Sequence, residues 1–299
     1  MKYTYLIVVM LLFFNCKRNS PDEKNGNANK TEDVKQLGSD TLQNDAVVPA
    51  YQNIELTDVD KSITIELKQK TLIEKKDERE ELQELIINKS YINATKDFTV
   101  NFTYPLLNES YKDSHRNFNE FITDHYVNIT ATEADILERK SLCDSIEAEN
   151  FREERLIDYK IYNVNDRLVS VLFYKENFYS GAMHPSYTFD CFNFDLNEGV
   201  FINYEDFFVQ GSENEVLEIL NEKITAKIQS GDMYYDCWEV SSADFLVSKN
   251  NFVLNETNIE FYFDDCVICP SYTGSYSIEI PLVDFMSVLK KYELNPLLL

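Results

Sequence analysis

Residues 156–174, LIDYKIYNVNDRLVSVLFY, and residues 187–204, YTFDCFNFDLNEGVFINY, decide the fold class. In the first stretch two β-branched and aromatic runs, Leu156 to Tyr162 and Leu168 to Tyr174, flank the turn dipeptide Asn165-Asp166. In the second, Tyr187 to Leu196 and Val200 to Tyr204 flank Asn197-Glu198-Gly199, with glycine where a three-residue hairpin loop needs a positive φ. Short apolar runs separated by such turns predict antiparallel hairpins.

Working outward, Phe252 to Leu254 and Ile259 to Phe263 form a further pair around Asn255-Glu256-Thr257-Asn258, and Tyr276, Ile278 and Ile280 alternate on the next strand. Upstream, Ser62 to Lys68 and Phe98 to Tyr104 have the same two-residue period, and Pro105 is expected to end the latter. Helices are expected at four places. Tyr111, Phe118, Phe121, Ile122 and Tyr126 give one buried stripe between Glu109 and Tyr126. Thr132-Glu133-Ala134-Asp135 opens a second, more acidic helix to about Arg155. Val216, Ile219, Leu220, Ile224 and Ile228 mark a third, and Pro281 starts a short last one through Leu289. The fold class is α+β, antiparallel and mixed sheets with packed helices, in two small subdomains behind an unstructured leader. No repeat period recurs, which excludes solenoids and propellers.

The chain has 299 residues, 19 Tyr and 20 Phe but only 7 Gly and 7 Pro, so aromatic-rich strands fit and collagen-like or glycine-loop architectures do not. Asp plus Glu number 52 against 28 Lys plus Arg, and the net charge of -24 repels a phosphate backbone. Nucleic acid is therefore excluded as a partner, while solubility and attraction to something cationic are both served.

Lys2 precedes the unbroken apolar run Leu6 to Phe14, too short to span a bilayer and the length of a signal peptide core. Leu12-Phe13-Phe14-Asn15-Cys16 resembles a bacterial lipobox. That resemblance implies cleavage before Cys16 and a diacylglycerol on its sulfur; an ordinary secretory signal containing a cysteine is the alternative. Residues 1–15 are thus a signal peptide. Residues 16–50, lipidated cysteine and polar tether, follow, with a coil reach of roughly 30 Å. An N-terminal subdomain spans 51–173 and a C-terminal one 174–295.

Three patterns in the second half stand out together: Tyr179-Ser180-Gly181-Ala182-Met183-His184-Pro185; Asn193 to Gly199 followed by Tyr204 to Phe208; and Asn251 to Leu254, Ile259 to Phe263, then Pro270-Ser271-Tyr272-Thr273-Gly274 and Ser275 to Ile280. In order and spacing they resemble the exported envelope domain shared by lysozyme-binding anti-sigma factors of the RsiV type and the non-catalytic part of peptidoglycan deacetylases of the PdaC type. The resemblance covers Tyr174 to Leu294 well and the upstream residues weakly. It implies a non-enzymatic binding domain in the bacterial envelope whose partner is a lysozyme-like cationic protein or peptidoglycan, with Tyr179, Gly181, His184, Tyr272 and Gly274 as candidate binding residues. Each also has a plainer role: positive-φ turns for Gly181 and Gly274, a hydrogen-bonded structural histidine for His184, core packing for the two tyrosines. The chain departs from that family in Ser180, often glycine there, in its cysteines around the third pattern, and in its lipid-attachment cysteine.

Catalytic motifs are missing. The histidines, His115, His125 and His184, do not form an H-E-x-x-H or H-x-x-x-H arrangement, no nucleophile elbow or phosphate loop is found, and neither metal nor cofactor is expected. With 52 acids every carboxylate pair is commonplace, which leaves a carboxylate-dependent enzyme acting on cell-wall glycan as the alternative. Apart from Cys16 there are five cysteines, Cys143, Cys191, Cys237, Cys266 and Cys269, an odd number that predicts one or two bridges plus a free thiol. Cys266-Val267-Ile268-Cys269 has redox spacing but follows a strand and precedes Pro270, which favours structural bridging.

Overall fold

The computed structural model describes residues 84–274 and 276–290. The expected signal peptide, Cys16, the tether and the strand at Ser62 to Lys68 lie outside the described residues. Among the described residues nine strands form two sheets: six in the order β1-β2-β3-β4-β5-β6 and three in the order β7-β8-β9. In the large sheet the strands are β1 (Ile86–Ala94), β2 (Phe98–Leu107), β3 (Glu153–Val164), β4 (Leu168–Phe178), β5 (Ser186–Asp195) and β6 (Val200–Ile202). The small sheet holds β7 (Phe252–Leu254), β8 (Asn258–Tyr262) and β9 (Ser277–Pro281). Neighbours pair antiparallel except β2 and β3, whose parallel register Phe98↔Glu153 to Phe102↔Ile157 requires a crossover.

That crossover carries helices α1 (His115–Glu120), continued by a π-helical turn Phe121–Val127, α2 (Ile129–Leu142) and α3 (Ser145–Asn150). They cover one face of the large sheet: Phe118, Ile122 and Ile136 pack on Val100, Phe102, Ile157, Tyr159, Ile161, Val171 and Phe173. On the opposite face Leu172, Tyr174, Phe189 and Cys191 meet Val253 and Tyr262 of the small sheet and Tyr276, just before β9. The far side of the small sheet, Phe252, Leu254, Ile259, Phe261, Ile278 and Ile280, is covered by Val216, Leu220 and Ile224 of α5 (Glu213–Ser230) and Phe245 of α6 (Ser242–Ser248). Helix α4 (Tyr204–Phe207) adds Tyr204 and Phe207 to the same core. The layers run helix, sheet, sheet, helix, and the two-residue period of each strand feeds two cores at once. Central β4 accordingly starts with seven consecutive buried residues, Leu168 to Tyr174.

Both hairpins on which the fold class rests are present, with Gly199 at φ 70°. Four local expectations are corrected. Pro105 lies inside β2, opposite Asn88, where β2 has run past its register with β3 and has one strand neighbour. The first helix begins at His115, leaving Tyr111 exposed, and its last stretch widens to a π turn. The second expected helix starts earlier and splits. Asn128, in the left-handed region, caps α2 by accepting from Ala131 N–H, and Asp144 opens α3 with a capping box to Glu147, after which the chain extends into β3. After Pro281 the chain forms a short 3₁₀ turn, Leu282–Phe285, rather than a helix to Leu289. The expected boundary between 173 and 174 falls within β4, which is hydrogen-bonded to β3 on one side and β5 on the other, so the sheet is continuous across it. No helix among the described residues is long and apolar enough to cross a membrane.

Candidate binding surface

The turn between β4 and β5 holds Tyr179, Gly181 and His184. Ala182 N–H donates to Tyr179 C=O at 2.9 Å and Gly181 sits at φ 83°, with nothing within 4 Å of where a Cβ would stand. Its requirement is conformational, as expected. Ser180 Oγ accepts from Arg152 N–H at 3.3 Å, tying the turn to the start of β3. Beneath it the guanidinium carbons of Arg155 and Arg139 lie 4.1 and 4.8 Å from the Tyr179 ring centroid, in cation–π range.

Those two arginines share one buried acid. Glu153, 2% exposed, accepts from Arg155 at 2.5 Å, and Arg139 Nε lies 3.4 Å from its other oxygen. Arg155 also donates to the carbonyls of Phe178 and Glu154, at 2.9 and 2.8 Å, so its charge is surrounded by acceptors. Burial works against that guanidinium and lowers its pKa, while Glu153 opposes the shift. Arg139 further pairs with Asp135 on its own helix, and Lys140 Nζ meets Asp97 at 2.6 Å. The Lys140 hydrogen bond holds the Asp97 carboxyl below the usual range, helped by Lys96 and Arg152. The turn therefore rests on an ion-paired base.

Above this base the surface is unusual. Helix α3 buries none of its six residues and leaves Ile146 74% exposed; Leu142, at the end of α2, is 79% exposed and Met183, on the turn, 86%. Exposed carboxylates of Glu138, Asp144, Glu147 and Glu149 stand among them, and His184 is exposed rather than structurally hydrogen-bonded. Apolar anchors with Tyr, Met and Arg, rimmed by charge, are the composition of a protein-binding face.

Tyr272 and Gly274 belong to the connection between β8 and β9, a different layer. Thr273 Oγ1 donates to Pro270 C=O at 2.8 Å within the 3₁₀ turn Ser271–Thr273, and Gly274 follows at φ 60°. Tyr272 is half-buried and Gly274 buried. Of the five candidate disulfide cysteines, Cys237 and Cys269 are bonded to each other, while Cys143, Cys191 and Cys266 are thiols. The bridge joins the loop before α6 to the turn after β8, and the two cysteines of the Cys266 to Cys269 spacing are not bonded together. Next to it, local desolvation of the carboxyl foremost and the Asp190 charge second raise the pKa of Asp264, and desolvation raises that of Asp265, although both residues lie exposed at the surface. Among the described residues no group of three or more His, Cys, Asp or Glu is placed to hold a metal ion.

Helical patterning does not reveal the Glu153-Arg155 base, because Arg152-Glu153-Glu154-Arg155 falls at the end of the expected acidic helix. Its signal is parity: Glu153 and Arg155 share the two-residue phase of Ile157, Tyr159 and Ile161, all buried.

The fold and one segment of it have relatives. Residues 205–282 match a family described as "Protein of unknown function (DUF3298)". The chain therefore carries a DUF3298 domain, from α4 through the small sheet. A crystal structure of a DUF3298 family member from Bacteroides fragilis superposes with a TM-score of 0.52 at 18% identity, covering 71% of this chain and 94% of that one. One from Pseudomonas aeruginosa gives 0.50 at 15%, covering 69% and 93%. At these identities the likeness is one of fold. It extends upstream of the family match, into the large sheet. No curated protein matches the chain.

Proposed function

We propose that this is a lipid-anchored, non-catalytic binding protein of the bacterial cell envelope, and that its ligand is a cationic, lysozyme-like protein. The observation that carries this reading is helix α3, folded and capped yet burying nothing, with Leu142 and Ile146 exposed among Glu138, Asp144, Glu147 and Glu149. A cationic partner would be steered by the -24 field and then held by dehydration of the apolar anchors. Tyr179 and Ser180 to His184, on their ion-paired base, form the second edge of the face. A second reading, peptidoglycan fragments, is favoured by the Tyr179 ring, 38% exposed on the turn, an aromatic surface that suits a sugar face.

The test uses the full chain as Cys16→Ser, so that no acyl group interferes. Lysozyme is passed over the immobilised protein across a salt series, with an equally basic unrelated protein as control, and peptidoglycan is incubated in parallel with sugar and acetate release monitored. Selective lysozyme binding whose association slows with salt, screening shortening from about 30 Å at 0.01 M to about 8 Å at physiological strength, supports the first reading. Equal binding of both proteins rejects it, and release of sugar would replace it with carboxylate-dependent hydrolysis.

A further inference from the structure

Cys266 stands three residues before Cys269, whose sulfur is bonded to Cys237 across 32 residues of chain. Its thiol is free and half-exposed, whereas Cys237 and Cys269 are buried. Among the described residues it is one of two non-glycines with a positive φ, at 64°. That conformation is uncommon for a residue with a Cβ and needs local support. The support is visible: Val267 N–H donates to Asp264 C=O at 3.3 Å, closing a turn, and the Cys266 sulfur lies 3.6 Å from Ser271 Oγ. Beyond it the chain bends at each of Val267, Ile268 and Cys269. Trp238 N–H donates to Ile268 C=O at 2.9 Å, so the bridge and one backbone bond join the same two segments.

We propose that Cys266, Cys269 and Cys237 form an internal thiol–disulfide exchange site. The Cys266 thiolate attacks the Cys269 sulfur; the Cys266–Cys269 bond forms, the Cys237–Cys269 bond breaks, and Cys237 leaves as a thiolate that takes up the proton Cys266 gave to solvent. Electrons balance without oxidant or reductant, and the number of disulfides is unchanged. In an unstructured chain the short Cys266–Cys269 loop closes more readily than the 32-residue one, by about twentyfold on loop-closure entropy. Native packing of Met233, Cys237 and Val240 against Ile268 and Cys269 is what selects the long-range bridge. Exchange therefore detaches the loop between α5 and α6 from the turn after β8 whenever that packing loosens.

The experiment takes the full chain as Cys16→Ser, incubates it at pH 8 in native buffer and in a subdenaturing urea series, alkylates at intervals with iodoacetamide, and maps tryptic peptides without reduction. Lys249 separates Cys237 from the other two cysteines, so the pairings differ in mass. Expected is alkylation of Cys237 that grows with urea, matched by an intrapeptide Cys266–Cys269 bond, and reduced at least tenfold in Cys266→Ser. Cys237 alkylation equal in Cys266→Ser, or alkylation of Cys266 with Cys237 always protected, overturns the proposal. As a second arm, Cys237→Ser should acquire the Cys266–Cys269 bond in air; persistence of both thiols counts against exchange, and if that variant does not fold the trapping arm decides.

Discussion

Asn251 joins the two sheets through its side chain, and its replacement by alanine gives a stability loss that can be worked from the contacts. Strand β6 covers only Asn193 to Asp195 of β5, so the outer edge of β5 above it has no strand neighbour among the described residues. The Asn251 amide takes that place: its oxygen accepts from Cys191 N–H at 2.8 Å and its nitrogen donates to Phe189 C=O at 2.7 Å and to Tyr262 C=O at 3.1 Å. Each bond is worth about 1 kcal/mol net, and the loss is larger where a buried backbone group is left unpaired. Asn251→Ala should therefore cost about 2–4 kcal/mol, lowering Tm by about 5–15 °C for a domain of this size. Urea unfolding should show a lower midpoint with an unchanged slope, because the exposed surface is the same. Asn251→Asp keeps the acceptor for Cys191 but sets a carboxylate against two carbonyls, and should lose at least as much at pH 7. An Asn251→Ala variant within about 0.5 kcal/mol of the parent would refute the reasoning that side-chain bonds hold the sheets in register.

Gly199→Ala meets both a φ of 70° and a Cβ position 2.5 Å from Ser114 Cβ, whereas Gly181→Ala meets strain alone, so urea midpoints should place its cost at about twice the roughly 1 kcal/mol of the latter. Asp264 has a raised folded-state pKa, so its protonated form favours folding and that contribution is lost as pH rises through the folded value; Asp264→Asn should raise Tm at pH 7 and leave it unchanged near pH 3. Cys16→Ser should move the protein from the membrane fraction to the soluble fraction, and an unchanged fractionation would remove the lipid anchor from the proposed function.

The strands were legible because their signals are local. Asn165-Asp166 and Asn197 to Gly199 lie between runs whose alternation no helix would share, and the structure pairs those runs. Helix limits were less so: Thr132-Glu133-Ala134-Asp135 has the composition of a start, but Asn128 is four residues earlier and its side chain reaches Ala131 N–H first. Cys237–Cys269 was beyond reading, since a bridge across 32 residues depends on tertiary packing rather than spacing. At the candidate surface, Tyr179, Gly181 and His184 are candidates through the family resemblance and share one turn, while Leu142 and Ile146 carried no signal, because an apolar residue on a short helix reads as core until the structure leaves it exposed.

Amide hydrogen exchange of the full-length Cys16→Ser chain, free and saturated with lysozyme, tests the proposed binding face most directly. In the free chain the amides of Ser145–Asn150 should exchange quickly, since the helix has no buried residue to hold it closed. On binding, those amides and the ones from Tyr179 to His184 should slow by at least tenfold at physiological salt, while α5 stays unchanged. A saturated complex that leaves α3 and the turn at their free rates, or that protects α5 instead, would contradict the account.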